Sequence, residues 1–62
     1  MNDETKRQLI AATVTLDGRP AKISGRLLGY AVVGSLEQPL TSVQYSWEAV
    51  ARIVEQGGAF RS

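Results

Sequence analysis

The 62-residue sequence contains neither cysteine nor histidine. Without cysteine the chain can form no disulfide bond and no thiolate metal site. Without histidine it lacks the usual zinc ligand, the commonest general base and the side chain that titrates near neutral pH. We therefore expect no metal and no other cofactor, and a fold that depends on packing or on association between chains.

Aromatic residues and net charge are also scarce. The sequence has one Trp, two Tyr and one Phe, and its net charge is +1. A small domain with so few large side chains has a modest core, and chains of this size that lack disulfides or metals often gain stability by oligomerising. We therefore expect a homodimer or a higher homo-oligomer. The charge alone does not indicate binding to nucleic acid or to a membrane surface.

The sequence lacks long apolar runs and known catalytic patterns. No run approaches the roughly 20 residues that span a bilayer, and the polar start Met-Asn-Asp-Glu differs from a signal peptide, so we expect no membrane association and, by default, a cytoplasmic location. The glycines fit neither dinucleotide-binding nor P-loop spacing. The six acidic residues form no predicted pair for acid–base catalysis, and no base is present to activate Ser or Thr. The prediction is a protein that is not an enzyme.

The dipeptide Asp17-Gly18 lies between two segments that alternate apolar and polar residues. Asp-Gly favours a two-residue hairpin turn in which both residues have positive φ. If Leu16 pairs with Arg19, the next apolar residues along both strands fall on one face and the polar residues on the other. A shift of one residue would scramble this separation, so the turn and the pattern predict the same register.

The rest of the chain predicts an α+β fold, a small antiparallel meander of about four strands followed by one C-terminal helix (β-β-β-β-α). Residues 1–7 are expected to form a flexible N-terminal tail, and residues 8–62 a single small domain. The strands are predicted at about residues 8–16, 19–27, 30–36 and 41–45, with a turn at Leu28-Gly29 and a break at Pro39. Gly25 indicates a bulge or a close backbone approach. The sequence leaves open whether the sheet closes into an SH3-like barrel, curls into a half-barrel or stays open.

The helix is predicted to begin after Ser46 and to end at Gly57-Gly58, with Phe60 folding back over that end. Tyr45 and Trp47 flank the junction of strand and helix, and Tyr30 lies in the preceding strand. Tyr and Trp are frequent in protein interfaces, although a Trp at this place also commonly packs in the core. Tyr30, Tyr45 and Trp47 are therefore the predicted protein-binding residues of a small, self-associating interaction module with an accessory or regulatory role.

Three basic residues of the first hairpin, Arg19, Lys22 and Arg26, support an alternative function. In the predicted register Lys22 and Arg26 project from one face of the hairpin, and Arg19 falls on the other face beside the turn. Basic and hydroxyl side chains on a sheet face can contact phosphates, which predicts nucleic-acid binding. The same pattern is also typical of a solvated sheet face, so protein binding stays the leading prediction.

Overall fold

The computed structural model describes residues 1–27, 29–38 and 41–62, except for the side chains of residues 26 and 27. Within this part of the chain, two helices pack against one five-stranded sheet. The elements are, in chain order, α1 (Asp3–Ile10), β1 (Val14–Leu16), β2 (Arg19–Leu27), β3 (Tyr30–Ser35), β4 (Ser42–Ser46), α2 (Trp47–Glu55) and β5 (Ala59–Phe60). The strand order is β4-β3-β2-β1-β5. The predicted α+β meander followed by a helix is confirmed, and α1 and β5 are additions to it.

The first hairpin forms as the sequence predicts. Asp17 and Gly18 have φ angles of 54° and 81°, which is the backbone that the mirror-image two-residue turn requires. Leu16 pairs with Arg19, and Val14 pairs with Ala21. The hairpin is shorter than expected, because β1 has only three residues.

The N-terminal segment is the main error of the sequence-based prediction. Residues 3–7 were expected to lie in a flexible tail and residues 8–13 in the first strand, but α1 spans Asp3–Ile10. Asn2 caps this helix, since its Oδ1 accepts a hydrogen bond of 2.8 Å from the N–H of Thr5. Leu9 is the only buried residue of this helix, and most of its other residues are polar. A first strand that began at residue 8 would place Ile10 opposite Gly25 on the apolar face of the hairpin, but Ile10 is 42% exposed.

Gly25 marks both a bulge and a close approach, as predicted. The register between β2 and β3 shifts between Ser24 and Leu27. A Cβ on Gly25 would lie 3.0 Å from Cζ2 of Trp47, which is closer than side chains normally pack. Glycine at this position therefore lets the indole ring lie directly against the backbone of β2.

The third and fourth strands form with small changes in their bounds. The third ends at Ser35 rather than at residue 36, and the fourth is Ser42–Ser46 rather than 41–45. All neighbouring pairs from β1 to β4 are antiparallel, as predicted. The predicted turn at Leu28-Gly29 falls partly outside the described residues, although Gly29 has a φ of 76°. The predicted break at Pro39 lies outside them altogether.

The helix α2 begins and ends where the sequence predicts. Ser46 caps it, with its Oγ accepting a hydrogen bond of 3.2 Å from the N–H of Ala49. Gly57 and Gly58 have φ angles of 124° and 78°, and they turn the chain back toward the sheet. Phe60 then lies in β5, where its side chain is buried in the core. β5 is parallel to β1, with the N–H of Asp17 donating to the carbonyl of Phe60 at 2.9 Å.

The core lies between the concave face of the sheet and the two helices. Its most buried large side chains are those of Leu16, Ile23, Val33, Val50 and Phe60. The sheet is curled into a half-barrel, because Tyr45 of β4 contacts Phe60 of β5 although these strands form opposite edges. In the described part of the chain, no helix covers the other face of the sheet.

Candidate functional site: the open edge and outer face of the sheet

The face of the sheet that points away from the helices carries small and polar side chains. Directly paired residues of neighbouring strands share a face. The outer face can therefore be read from the register as three rows. These are Lys22, Gly34 and Ser42; Ser24, Val32 and Gln44; and Tyr30 with Ser46. We call these residues the outer face.

An open depression of about 320 Å³ lies on this outer face. It is lined by Lys22, Ser24, Val32, Gly34, Ser35, Leu36 and Ser42. Leu36 is 58% exposed, and Ser35 is buried. The Ser35 hydroxyl already accepts hydrogen bonds from the N–H groups of Glu37 and Gln38, at 3.2 and 3.1 Å. The depression thus offers one cation, two further serine hydroxyls and an apolar rim to a ligand.

The strand β4 forms one edge of the sheet, and the hydrogen bonds show which of its backbone groups point outward. The N–H of Ser35 donates to the carbonyl of Thr41 at 3.0 Å, so these two residues belong to a hydrogen-bonded pair. Hydrogen-bonded and non-hydrogen-bonded pairs alternate along an antiparallel ladder. Val43 and Tyr45 therefore direct their N–H and C=O groups at β3, whereas Ser42 and Gln44 direct theirs away from the sheet.

A second hydrogen bond supports this assignment independently. The N–H of Leu36 donates to the carbonyl of Pro20 at 2.9 Å. Even-numbered residues of β3 therefore bond to β2, and odd-numbered residues bond to β4. The two ladders agree. In the described part of the chain, no strand pairs with the outward side of Ser42 and Gln44.

The side chains of β4 lack the features by which proteins usually prevent edge strands from pairing. Such edges are protected by charged residues, proline, bulges or extreme shortness. The five residues of β4, Ser-Val-Gln-Tyr-Ser, include no charge and no proline. Their register with β3 runs without a shift from Gly34↔Ser42 to Tyr30↔Ser46. This edge is therefore suited to pairing with an additional strand.

The three predicted protein-binding residues do not form one surface. Trp47 is 4% exposed and belongs to the core, with Lys6 Nζ 5.4 Å from the centroid of its ring. Tyr45 is half-buried, its ring lies 5.2 Å from that of Phe60, and its hydroxyl donates to the carbonyl of Arg61. Only Tyr30, which is 51% exposed, presents its ring on the outer face.

The described side chains of the three predicted basic residues also do not form one cluster. Lys22 is exposed on the outer face, as predicted. Arg19 lies beside the turn, where its Nη1 is 3.8 Å from Oε1 of Glu37. Arg26 lies in β2, but its side chain falls outside the described part of the structure. The outer face thus holds one described cation of the three.

A second depression lies beside α1, which the sequence-based prediction did not include. It encloses about 400 Å³ and is lined by Asp3, Lys6, Arg7, Ile10, Gly25 and Trp47. It contains two cations and one carboxylate, and Lys6 already contacts the Trp47 ring. This arrangement is explained by the packing of α1 over the Trp47 ring. Its mixture of positive and negative side chains indicates no particular class of ligand.

Among the residues that the structure describes, no group of three or more acidic side chains could hold a metal ion. No helix of this part is long and apolar enough to cross a membrane. Comparisons with protein-family models, with curated proteins and with solved structures find no match to the chain. Function must therefore be inferred from the surface chemistry of the sheet.

Sequence reasoning missed the two residues that matter most at this edge, Ser42 and Gln44. Both lie in the strand that is predicted at residues 41–45, and this strand forms. Their edge position could not be known, because strand order depends on pairings between distant segments. The absence of charge from Ser42–Ser46 is the one local signal that could have indicated a pairing edge.

Proposed function

We propose that this chain is a small, non-enzymatic protein-interaction module that binds an extended strand along the edge of β4 and associates with itself through this edge. The observation that carries the proposal is the uncharged, regular edge strand whose Ser42 and Gln44 backbone groups point outward. Addition of a strand to an exposed edge is a common mode of protein recognition, in which main-chain hydrogen bonds supply affinity.

The proposal moves the interaction site away from the aromatic residues on which the sequence-based prediction placed it. Trp47 packs in the core against β2, Tyr45 contacts Phe60 and Arg61, and Tyr30 extends the outer face. The predicted cytoplasmic location stays a prediction.

Proline substitution gives a direct test, because it removes a single backbone N–H. Gln44→Pro deletes an outward N–H that the fold does not use, so the chain should remain folded and lose its self-association. Gln44→Thr is the matched control, since it keeps the N–H and a residue that favours strands. Sedimentation equilibrium at increasing protein concentration measures the association.

We expect the unmodified chain and Gln44→Thr to form a dimer at high concentration and Gln44→Pro to stay monomeric. An unmodified chain that is monomeric at the highest attainable concentration would overturn the self-association. Equal association of Gln44→Pro and Gln44→Thr would place the interface on another surface.

A second candidate function is binding of single-stranded nucleic acid across the outer face. Tyr30 and Lys22 lie on this face two rows apart, a separation of about 14 Å at the usual rise of a strand. An exposed aromatic ring for base stacking and a cation for a phosphate are the two components that sheet surfaces use for single strands. Tyr30 of β3 therefore supplies, on the same face as Lys22, the aromatic ring that the first hairpin alone lacks.

Salt dependence distinguishes this candidate from protein binding. Chemical shifts of the outer face, recorded while a single-stranded oligonucleotide is added at low salt, should move at Tyr30, Ser24 and Lys22 and return as salt is raised. Lys22→Gln should weaken the binding. An unchanged spectrum at low salt would remove nucleic acid as a ligand.

A further inference from the structure

We infer that the strand that occupies the β4 edge is β4 of a second copy of this chain, and that the two-fold axis passes beside Gln44. This inference rests on the proposed function and specifies its partner. Two identical strands that pair antiparallel are related by a two-fold axis, the commonest symmetry of soluble oligomers. Because β4 carries no charge, two copies bring no like charges together along the new ladder.

The direction of the backbone groups restricts the possible registers. In β4 the outward groups belong to the even-numbered residues, Ser42, Gln44 and Ser46. A ladder between two copies must form its hydrogen-bonded pairs among these three. If the axis lies at Gln44, this residue faces Gln44 of the second copy, and Ser42 faces Ser46. This register uses the whole of β4, whereas an axis at Val43 would leave Ser46 opposite a residue outside the strand.

The position of Ser46 at the start of α2 determines which hydrogen bond it forms with Ser42 of the second copy. The two Gln44 residues exchange their N–H and C=O groups across the axis. The N–H of Ser46 donates to the carbonyl of Ser42 in the second copy, while the carbonyl of Ser46 serves the first turn of α2. On the concave side, Val43 then faces Tyr45 of the second copy in a non-hydrogen-bonded pair, where side chains approach most closely.

On the outer face, the Gln44 side chains of the two copies lie next to each other across the axis. A primary amide both donates and accepts, so two glutamine side chains can bond to each other. Ser42 borders the depression that contains Lys22, so pairing places one such depression on each side of the axis. The contact involves only five residues from each copy, which indicates a weak and reversible dimer.

The absence of cysteine makes a site-specific cross-link possible. Directly opposed residues of a hydrogen-bonded pair have Cα atoms about 5.5 Å apart, within the about 4.4–6.8 Å that a disulfide bond spans. The Gln44→Cys variant should therefore form a disulfide bond between position 44 of one copy and position 44 of the other, when oxidised glutathione accepts the two electrons. Ser42→Cys is the matched control on the same strand and face. In this register the two Ser42 residues lie four steps apart, about 13 Å, too far for a bond.

The experiment measures the cross-linked fraction on a non-reducing gel, after circular dichroism has shown that both variants are folded. We expect several-fold more cross-linked dimer for Gln44→Cys than for Ser42→Cys. If only a mixture of the two variants links, the axis lies at Val43, and the inference fails while the proposed function stands. If neither links although Gln44→Pro abolishes a dimer, the register is wrong and the function again stands. If the unmodified chain forms no dimer, this inference and the proposed self-association both fail.

Discussion

The two edges of the sheet differ in length, in partners and in protection. At one edge, β4 offers five residues in a regular register, and none of them is charged. At the other edge, β5 has only two residues, and the chain continues from it to a contact with the turn of the first hairpin. The N–H of Ser62 donates to Oδ1 of Asp17 at 3.1 Å, and the Ser62 hydroxyl donates to Oδ2 at 2.6 Å.

The difference teaches that this small sheet protects only one of its edges. β5 is too short to serve as a template, and it is followed by Arg61 and by Ser62, whose N–H and hydroxyl donate to Asp17. A small chain under selection only for solubility would be expected to protect both edges. The contrast therefore supports β4 as a surface kept for binding, and it can be tested by perturbing the edges separately.

The largest expected effect comes from removing the anchor of the protected edge. Phe60 is 1% exposed, and Phe60→Ala should lower the free energy of unfolding by about 3–5 kcal/mol because it leaves a cavity in the core. Gln44→Ala, at the open edge, should change it by less than about 0.5 kcal/mol. Urea denaturation followed by circular dichroism measures both. Similar losses in the two variants would contradict the assignment of β5 to the core.

A pair of proline variants tests which groups of β4 face outward. Val43→Pro removes an N–H that points to β3 and leaves the carbonyl of the buried residue Val33 without its donor. This should cost about 1–3 kcal/mol more than Gln44→Pro, whose N–H points to solvent. Thermal denaturation of the two variants at low protein concentration gives the difference. If Gln44→Pro were the less stable variant, Gln44 would bond to β3 and Val43 would point outward, which contradicts the assignment.

A smaller effect is expected at the turn that joins β1 to β2. In the described sheet, β1 is the only strand that pairs with β5. Gly18 has a φ of 81°, and nothing lies within 4 Å of the Cβ position, so the cost of a side chain there is conformational. Gly18→Val should lower the free energy of unfolding by about 1–2 kcal/mol, because a β-branched residue resists positive φ. Gly18→Asn, which tolerates this region, is the control. Equal stability of the two variants would contradict the turn geometry.

The smallest effect concerns the pH dependence of the protected edge. Hydrogen bonds from the Ser62 hydroxyl and N–H, together with the nearby charge of Arg61, hold the pKa of Asp17 below its usual value of 3.8. Because the folded pKa is lowered, this stabilisation is present above pH 3.8 and is lost as the pH falls through the folded pKa. The chemical shift of the Ser62 amide should follow this titration. Asp17→Asn should remove the step, and a step at or above pH 3.8 would show that the contact does not form.

What could be predicted from the sequence was local, and what could not was a matter of long-range pairing. Asp17-Gly18 and Ser46 are signals within a few residues, so the first hairpin and the start of α2 were predicted correctly. The segment before Val14 alternates like a strand, but the capping oxygen of Asn2 and the burial of Leu9 favour a helix there. β5 has two residues and pairs with a strand that lies more than 40 positions away in the chain, so no local pattern indicates it.

The same reasoning applies to the candidate site. The strand β4 was predicted, since Ser42 and Gln44 alternate with Val43 and Tyr45. Whether those polar residues lie at an edge depends on strand order, which no local pattern contains. Trp47 was placed among interface residues because its position at a junction suits either role, and the glycine at position 25 favours burial by making room for its ring.

Tyr45 joins the two edges across the opening of the half-barrel. Its backbone belongs to β4, while its ring and hydroxyl contact Phe60 and Arg61 beyond the other edge. If a strand added to β4 displaces this side chain, it also changes the contacts that hold the segment at residues 60–62. By reciprocity, loosening that segment by protonating Asp17 would change the affinity of β4 for its partner by the same free energy. The open edge would then carry a built-in response to acid, although β4 itself contains no carboxylate.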